Sequence, residues 1–264
     1  TYNLARMNMF IHHKENAEIK WGDTLNNPLL KDEDGLMKFE VVVANPPFSL
    51  DKWGYDNLED DAYNRFHRGM PPKSKGDYAF ISHMVEVAKD KQGRVAVIVP
   101  HGVLFRGASE AAIRKAFIEE NILDAVIGLP SGLFQTTGIP VAILIFDKSR
   151  QQGGVNEARK DILFIDASNE FIQNKTQNEL SDEIINKIFT TYKERKEIEK
   201  YSHVASYDEV KENEYNLNIP RYVDTFEEEE QVDMKEVAAK IESLEKELEA
   251  VKKEMQKHLQ NLGL

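Results

Sequence analysis

Apolar and polar positions fall along this chain in blocks of different period. Leu4, Met7 and Ile11 recur at spacings of three and four within residues 2–13, the stripe of a helix near its end. Residues 17–21 (AEIKW) predict a short strand, followed by GDTL and a polar loop over 26–38. Residues 39–44 (FEVVVA) are almost continuously apolar, as in a parallel strand covered on both faces. After an irregular charged stretch at 51–76, Phe80, Met84 and Val87 mark a helix over 77–90. A strand follows at 94–99 (RVAVIV), then a helix over 110–120 with Ser109 as its expected N-cap. Strands are expected at 122–128, 140–146 and 161–166, and a charged helix at 179–200, with 201–226 irregular.

Strands therefore alternate with helices until 122–128 and 140–146, which lie close together. That order predicts a doubly wound α/β domain with an antiparallel strand near one edge. From about residue 233 the pattern changes: Val237, Ile241, Leu244, Leu248, Val251, Met255 and Leu262 follow spacings of four and three, with His258 filling the gap. This is a coiled-coil seam, which buries little alone and wants a partner helix or its own domain. The expected organisation is a catalytic domain at 1–170, a helical and irregular extension at 171–230, and an amphipathic assembly helix at 231–264.

Composition narrows the picture. The 264 residues are 41% hydrophobic, enough for a core, and there is no cysteine, hence no disulfide framework and no thiolate chemistry. No apolar run reaches membrane-spanning length. A cytoplasmic protein without a membrane partner is expected. The net charge of −12 is uneven: residues 1–150 hold 18 basic and 20 acidic residues, residues 151–264 hold 16 and 26. A nucleic-acid role then needs a local basic patch, or a partner that supplies phosphate contacts. His12-His13 reads as a helix end rather than a metal site, and His101, after the strand at 94–99, is assigned no role.

The candidate chemistry sits where the strand at 39–44 ends, in Asn45-Pro46-Pro47-Phe48. Doubly wound sheets place ligands beyond the carboxyl ends of their strands. The Asn45 side chain offers a carbonyl acceptor, the prolines offer backbone carbonyls without N–H groups, and Phe48 adds a flat apolar face. Such a loop suits a planar group bearing an NH₂. One N–H points to the Asn45 amide oxygen and the other to the Pro46 carbonyl, which leaves the nitrogen lone pair free to attack an electrophilic methyl. Stacking of a base on Phe48 is worth about 1–3 kcal/mol. A base inside a duplex has to be flipped out to reach it. The alternative is a plain strand-ending turn.

The stretch resembles the catalytic motif of amino-methyltransferases that use S-adenosylmethionine. Together with LARMNMFIHH, GDTL, KGDYAFISHM, GRVAVIVPHGVLFRG, LDAVIGLPSGLF, TGIPVAILIFDK, LFIDAS and NLNIPRYVDT, it resembles the modification subunit of type I restriction–modification systems over nearly the whole chain. The resemblance implies a Rossmann-like, S-adenosylmethionine-dependent methyltransferase fold and methylation of adenine N6 in DNA. It also implies a specificity subunit, a restriction subunit and a second copy of the modification subunit as partners. It makes Asn45, Pro46, Pro47 and Phe48 the catalytic loop and places Asp23 of GDTL at the cofactor's adenine; the alternative for Asp23 is a turn-capping aspartate.

The same family opens its fold with a strand and a glycine-rich loop, and this chain has no G-x-G among its 14 glycines and begins with Thr1. An incomplete fold, lacking its first strands, is therefore expected. In the usual strand order 3-2-1-4-5-7-6, residues 17–21 become the third strand and 39–44 the fourth, with an exposed edge between them.

Residues 62–76 hold Arg65, Arg68, Lys73 and Lys75 without an acid and with Tyr63, Phe66 and His67 interleaved, and are expected to contact DNA phosphates near the flipped base. Two other functions remain open: methylation of a protein glutamine amide, also an NH₂ on a planar group, and a non-catalytic docking subunit.

Overall fold

The computed structural model describes residues 1–58, 61–134, 137–225 and 234–261. The chain divides into two compact units, Thr1–Thr225 and Phe226–Leu264. In chain order the first unit contains α1 (Tyr2–Ile11), a small hairpin of β1 (Lys31–Asp32) and β2 (Gly35–Leu36), β3 (Val41–Ala44), α2 (Asp77–Glu86), β4 (Arg94–Pro100), α3 (Gly102–Phe105) and α4 (Ala108–Glu119). It continues with β5 (Leu123–Leu129), β6 (Val141–Asp147), β7 (Ile162–Asp166), α5 (Asp182–Glu194), β8 (Ser202–Ala205) and α6 (Tyr207–Glu212). The second unit contains α7 (Met234–Asn261). No described helix is long and apolar enough to cross a membrane.

Six strands form one mixed sheet in the order β3-β4-β6-β5-β7-β8. β3 runs parallel to β4, and β5 to β7, while β6 is antiparallel to both β4 and β5. The first four members thus stand in the adjacency 4-5-7-6 of the usual order. The antiparallel strand expected near an edge lies inside the sheet, because β7 and β8 extend it beyond β5.

Alternation along the strands assigns the two faces. Val95, Val97 and Val99 of β4 pack with Ile81 and Val85 of α2 and with Ile113 and Phe117 of α4. Ile127, Leu163 and Ile165 face the other way, toward Ile188 and Tyr192 of α5. β5 has strands on both sides and is buried at every position. α5 starts where the Ser181 hydroxyl accepts from the Ile184 amide, an N-cap bond.

Four expectations need correction. Residues 17–21 form no strand: they find no ladder partner among the described residues and lie largely exposed. Ser109 sits inside α4, whose N-cap is Gly107. β3 is not covered on both faces; it pairs with β4 alone, and Val41 and Val43 are 65% and 70% exposed. Lastly, 171–225 is not a separate extension. β8 completes the sheet, and Val210, Leu217, Ile219 and Tyr222 join the core of β4 and α4. Tyr222 stacks on Phe164 with centroids 3.8 Å apart. Ile219 lies against Gly128 of β5, where an added Cβ would meet Ile219 Cδ1 at 2.6 Å.

In α7, Ile241, Leu244, Leu248, Val251 and Met255 are each more than half exposed. Leu262 lies outside the described residues.

Candidate active site

β3 delivers Asn45 directly beyond its carboxyl end, one residue past the pairing of Ala44 with Val97 of β4. The Asn45 side chain is exposed and has no hydrogen-bond partner among the described residues. Pro46 and Pro47 contribute no N–H, so the loop is rich in acceptors and poor in donors. Phe48 is half-buried, held edge-to-face by Phe134 with centroids 6.0 Å apart and planes at 83°. That fixes the ring while leaving part of it accessible.

The next residue shows how the loop is held. Ser49 adopts φ 47°, in the left-handed region. An L residue pays about 1–2 kcal/mol there. Its N–H donates to Asp77 Oδ1 at 2.7 Å. Asp77 is buried at the start of α2, and its Oδ2 accepts from Arg106 Nη2 at 2.8 Å. Arg106 Nε in turn lies 3.1 Å from Glu110 Oε2. Burial pushes the Glu110 carboxyl above its ordinary range despite that neighbour. The loop after Phe48 is thus clamped to α2 through one carboxylate and braced from α4.

Asp23 caps its own turn. Oδ1 accepts from the amides of Leu25 and Asn26, both at 3.0 Å, and Oδ2 accepts from Asn26 Nδ2 at 3.0 Å. Asn26 Nδ2 also donates to Trp53 O at 2.9 Å. Gly54 makes room for this: at φ 93°, a Cβ would lie 2.1 Å from Asn26 Nδ2. Leu25, Trp53, Leu58 and Ala79 form a small core beneath. The GDTL turn and the segment following the NPPF loop are therefore tied together, 27 residues apart in sequence. Between this turn and the outer surface of β3 runs a groove of about 450 Å³, lined by Gly22, Thr24, Leu29, Val41, Val43 and His83 among others.

The patch expected to meet DNA is not a cationic surface. Arg65 is 1% exposed. It pairs with Asp61 at 2.7 Å and donates to Leu25 O at 2.7 Å, bracing the GDTL turn from behind. Arg65 Nη1 lies 3.2 Å from His83 Nδ1. Burial, and then the Arg65 charge, lower the His83 pKa to about 4. Arg68 bridges Glu86 and Glu120, each at 2.6 Å, over the ring of Phe117. Lys73 pairs with Asp56 at 2.6 Å. Lys75 has no ion pair among the described residues and is half-buried near Glu110. The acids that neutralise this stretch come from other parts of the chain, so a count within 62–76 misses them.

His101 Nε2 lies 3.2 Å from Val141 O, and burial lowers its pKa, which fits a strand-end residue. Sequence reasoning missed Ser49, Asp77, Arg106 and Phe134. Asp77 had a visible signal as the acid opening the helix of KGDYAF, but an acid in a first turn ordinarily reads as a complement to the helix dipole.

Comparison with known proteins places the chain among its relatives. The profile of the family described as N-6 DNA Methylase matches residues 1–231. The chain is 37% identical over 247 residues to the type I restriction enzyme MpnII methylase subunit of Mycoplasma pneumoniae, covering 89% of this chain and 44% of that protein. It is 35% identical over 255 residues to the MjaVIII methylase subunit of Methanocaldococcus jannaschii, covering 92% and 43%. Among solved structures, the type I restriction–modification methyltransferase subunit from Streptococcus thermophilus superposes with a TM-score of 0.76 at 44% identity, covering 85% of this chain and 46% of that one. The chain thus spans less than half the length of these relatives.

Proposed function

Because this chain belongs to the N-6 DNA methylase family, we propose that it is the base-binding part of a type I modification methyltransferase acting on adenine N6 in DNA. The observation that carries the reading is the exposed Asn45 amide at the carboxyl end of β3, unpartnered among the described residues, in a loop whose next two residues donate no hydrogen bond.

The adenine amine, flipped out of the duplex, donates one N–H to the Asn45 side-chain oxygen and the other to the Pro46 carbonyl. Both bonds hold the nitrogen so that its lone pair points away from the ring's π system. Phe48, fixed by Phe134, stacks on the base. S-adenosylmethionine supplies an electrophilic methyl on its sulfonium. That methyl would be offered to the lone pair which Asn45 and Pro46 leave exposed.

The groove beside β3 fits the adenine end of that cofactor. Val41, Val43 and Leu29 offer apolar walls, and Asp23 stands on the turn between Gly22 and Thr24. Asp23 Oδ2 accepts one bond in the structure and has capacity for a second donor. For assembly, the exposed seam of α7 supports docking to a helix of a specificity subunit or of a second modification subunit; a restriction subunit would join that complex.

The test is methyl transfer from tritiated S-adenosylmethionine to duplex DNA, with the chain combined with a specificity subunit and the N-terminal part of a full-length relative. Asn45→Ala is expected to reduce transfer by about 100-fold or more while the complex still assembles. Equal transfer by wild type and variant would overturn the assignment.

A further inference from the structure

The opposite end of the sheet carries a second arrangement. Arg94 opens β4, and along the strands it lies about 13 Å below the level of Asn45. Nearby, Asp124 is buried in β5. It accepts from Tyr192 at 2.6 Å, from Arg150 at 2.7 Å and from Arg195 at 3.0 Å, and Arg159 approaches to 4.0 Å. Burial pushes the Asp124 carboxyl up, but the Tyr192 hydrogen bond and the charges of Arg195 and Arg150 outweigh it and hold it below its ordinary range. Asp161 adds a second carboxylate, 3.2 Å from Arg195.

Arg150, Arg159 and Arg195 stand against these two acids, and Arg94 and Lys193 line the same cleft as Asp124. Arg94 donates to the Tyr192 hydroxyl, and neither Arg94 nor Lys193 has an ion pair among the described residues. Arg94, Arg159, Lys193 and Arg195 line a cleft of about 330 Å³ together with Phe189, Tyr192 and Asp124, whose charge Arg150 and Arg195 meet. Small-molecule sites run from roughly 300 to 1,000 Å³. Phe189, 58% exposed on α5, gives the cleft an aromatic wall. In a chain of net charge −12, composition alone does not produce such a cluster.

We propose that this cleft binds a phosphate ester carrying a nucleobase, with Arg94, Arg159 and Lys193 on the phosphate and Phe189 against the base. Guanidinium forks match phosphate oxygens two at a time, and an ammonium adds a point charge. A carboxylate would satisfy the cations equally well; the aromatic wall beside them is what favours a nucleotide. The ligand is either a free nucleotide or a nucleic-acid strand. The inference stands apart from the chemistry of Asn45, which lies at the other end of the sheet.

The test uses the 264-residue chain. A fluorescein-labelled single-stranded 12-mer is titrated at several salt concentrations, and ATP, inorganic phosphate and polyglutamate are used as competitors. Three rim cations predict a slope of log K against log salt of about −2. The double variant Arg159→Ala, Lys193→Glu leaves Arg150 and Arg195 on Asp124, so it keeps the buried network. It is expected to bind the 12-mer at least about tenfold more weakly, with the slope reduced to about −0.7. Displacement by ATP identifies a nucleotide site; loss of strand binding in the variant without ATP displacement identifies a strand site. Unchanged binding in the double variant overturns the proposal. So does polyglutamate displacing the 12-mer as well as ATP does, which would mark the cleft as a dock for an acidic protein segment, and so does loss of binding in Asn45→Ala, which would place the 12-mer at the other end of the sheet.

Discussion

Asp77→Ala removes the carboxylate that holds the NPPF loop. Three contacts go: the Ser49 N–H at 2.7 Å, the Ser49 hydroxyl at 3.4 Å and Arg106 Nη2 at 2.8 Å. A hydrogen bond to a charged acceptor is worth about 1.5–3 kcal/mol, and breaking a buried ion pair costs about 3–5 kcal/mol. Arg106 keeps Glu110 at 3.1 Å, so the cost falls at the lower end, about 3 kcal/mol. Ser49 also holds a left-handed φ of 47° that relaxes once its N–H is released, and Phe48 is the adjacent residue. Urea unfolding of wild type, Asp77→Ala and Asp77→Asn measures the energy. Amide hydrogen exchange at Ser49 measures the loop, rising about tenfold for each 1.4 kcal/mol lost. Asn retains one acceptor oxygen and is expected to lose about 1–2 kcal/mol. If Asp77→Ala stays within about 0.5 kcal/mol of wild type and Ser49 exchange does not change, the clamp is refuted.

Arg65→Ala strips the guanidinium from half-buried Asp61, which keeps the residue 65 amide, and frees the Leu25 carbonyl; a loss of about 3 kcal/mol is expected in denaturant unfolding. Gly54→Ala drives a Cβ into Asn26 and strains a φ of 93°, so the melting temperature should fall by several degrees, by more than for Gly107→Ala, where nothing lies within 4 Å. His83 titrates at about 4 in the folded protein, below its ordinary 6.5. The unfolded chain therefore binds that proton first as pH falls, and stability drops between pH 6.5 and about 4, by at most about 3 kcal/mol. His83→Gln should flatten that part of the stability profile; an unchanged profile would remove His83 as its source.

Much of this protein is legible along the chain. The strands at 39–44, 94–99, 122–128, 140–146 and 161–166 are runs of apolar residues long enough to announce themselves, and each forms within a few residues of its expected place. The Asn-Pro-Pro-Phe loop is a local feature, since prolines end a strand wherever they fall, so its position beyond β3 follows from sequence. Pairing between distant segments is what the sequence does not carry. Whether 17–21 becomes a strand depends on a neighbouring ladder, and it has none among the described residues. Whether Arg68 meets solvent or acid depends on Glu120, 52 residues away. The same holds for 201–225, whose scattered apolar residues show no period and still fill the core. Charge behaves likewise: the stretch that reads as basic is neutralised by folding, while Arg94, Arg159 and Lys193, unremarkable where they stand in sequence, are gathered into one cleft by β4, the 149–160 loop and α5. Local propensity and period fix the elements, because backbone sterics act over a few residues. Burial and Coulomb energy act across space, so the tertiary structure alone decides which charges and which faces meet.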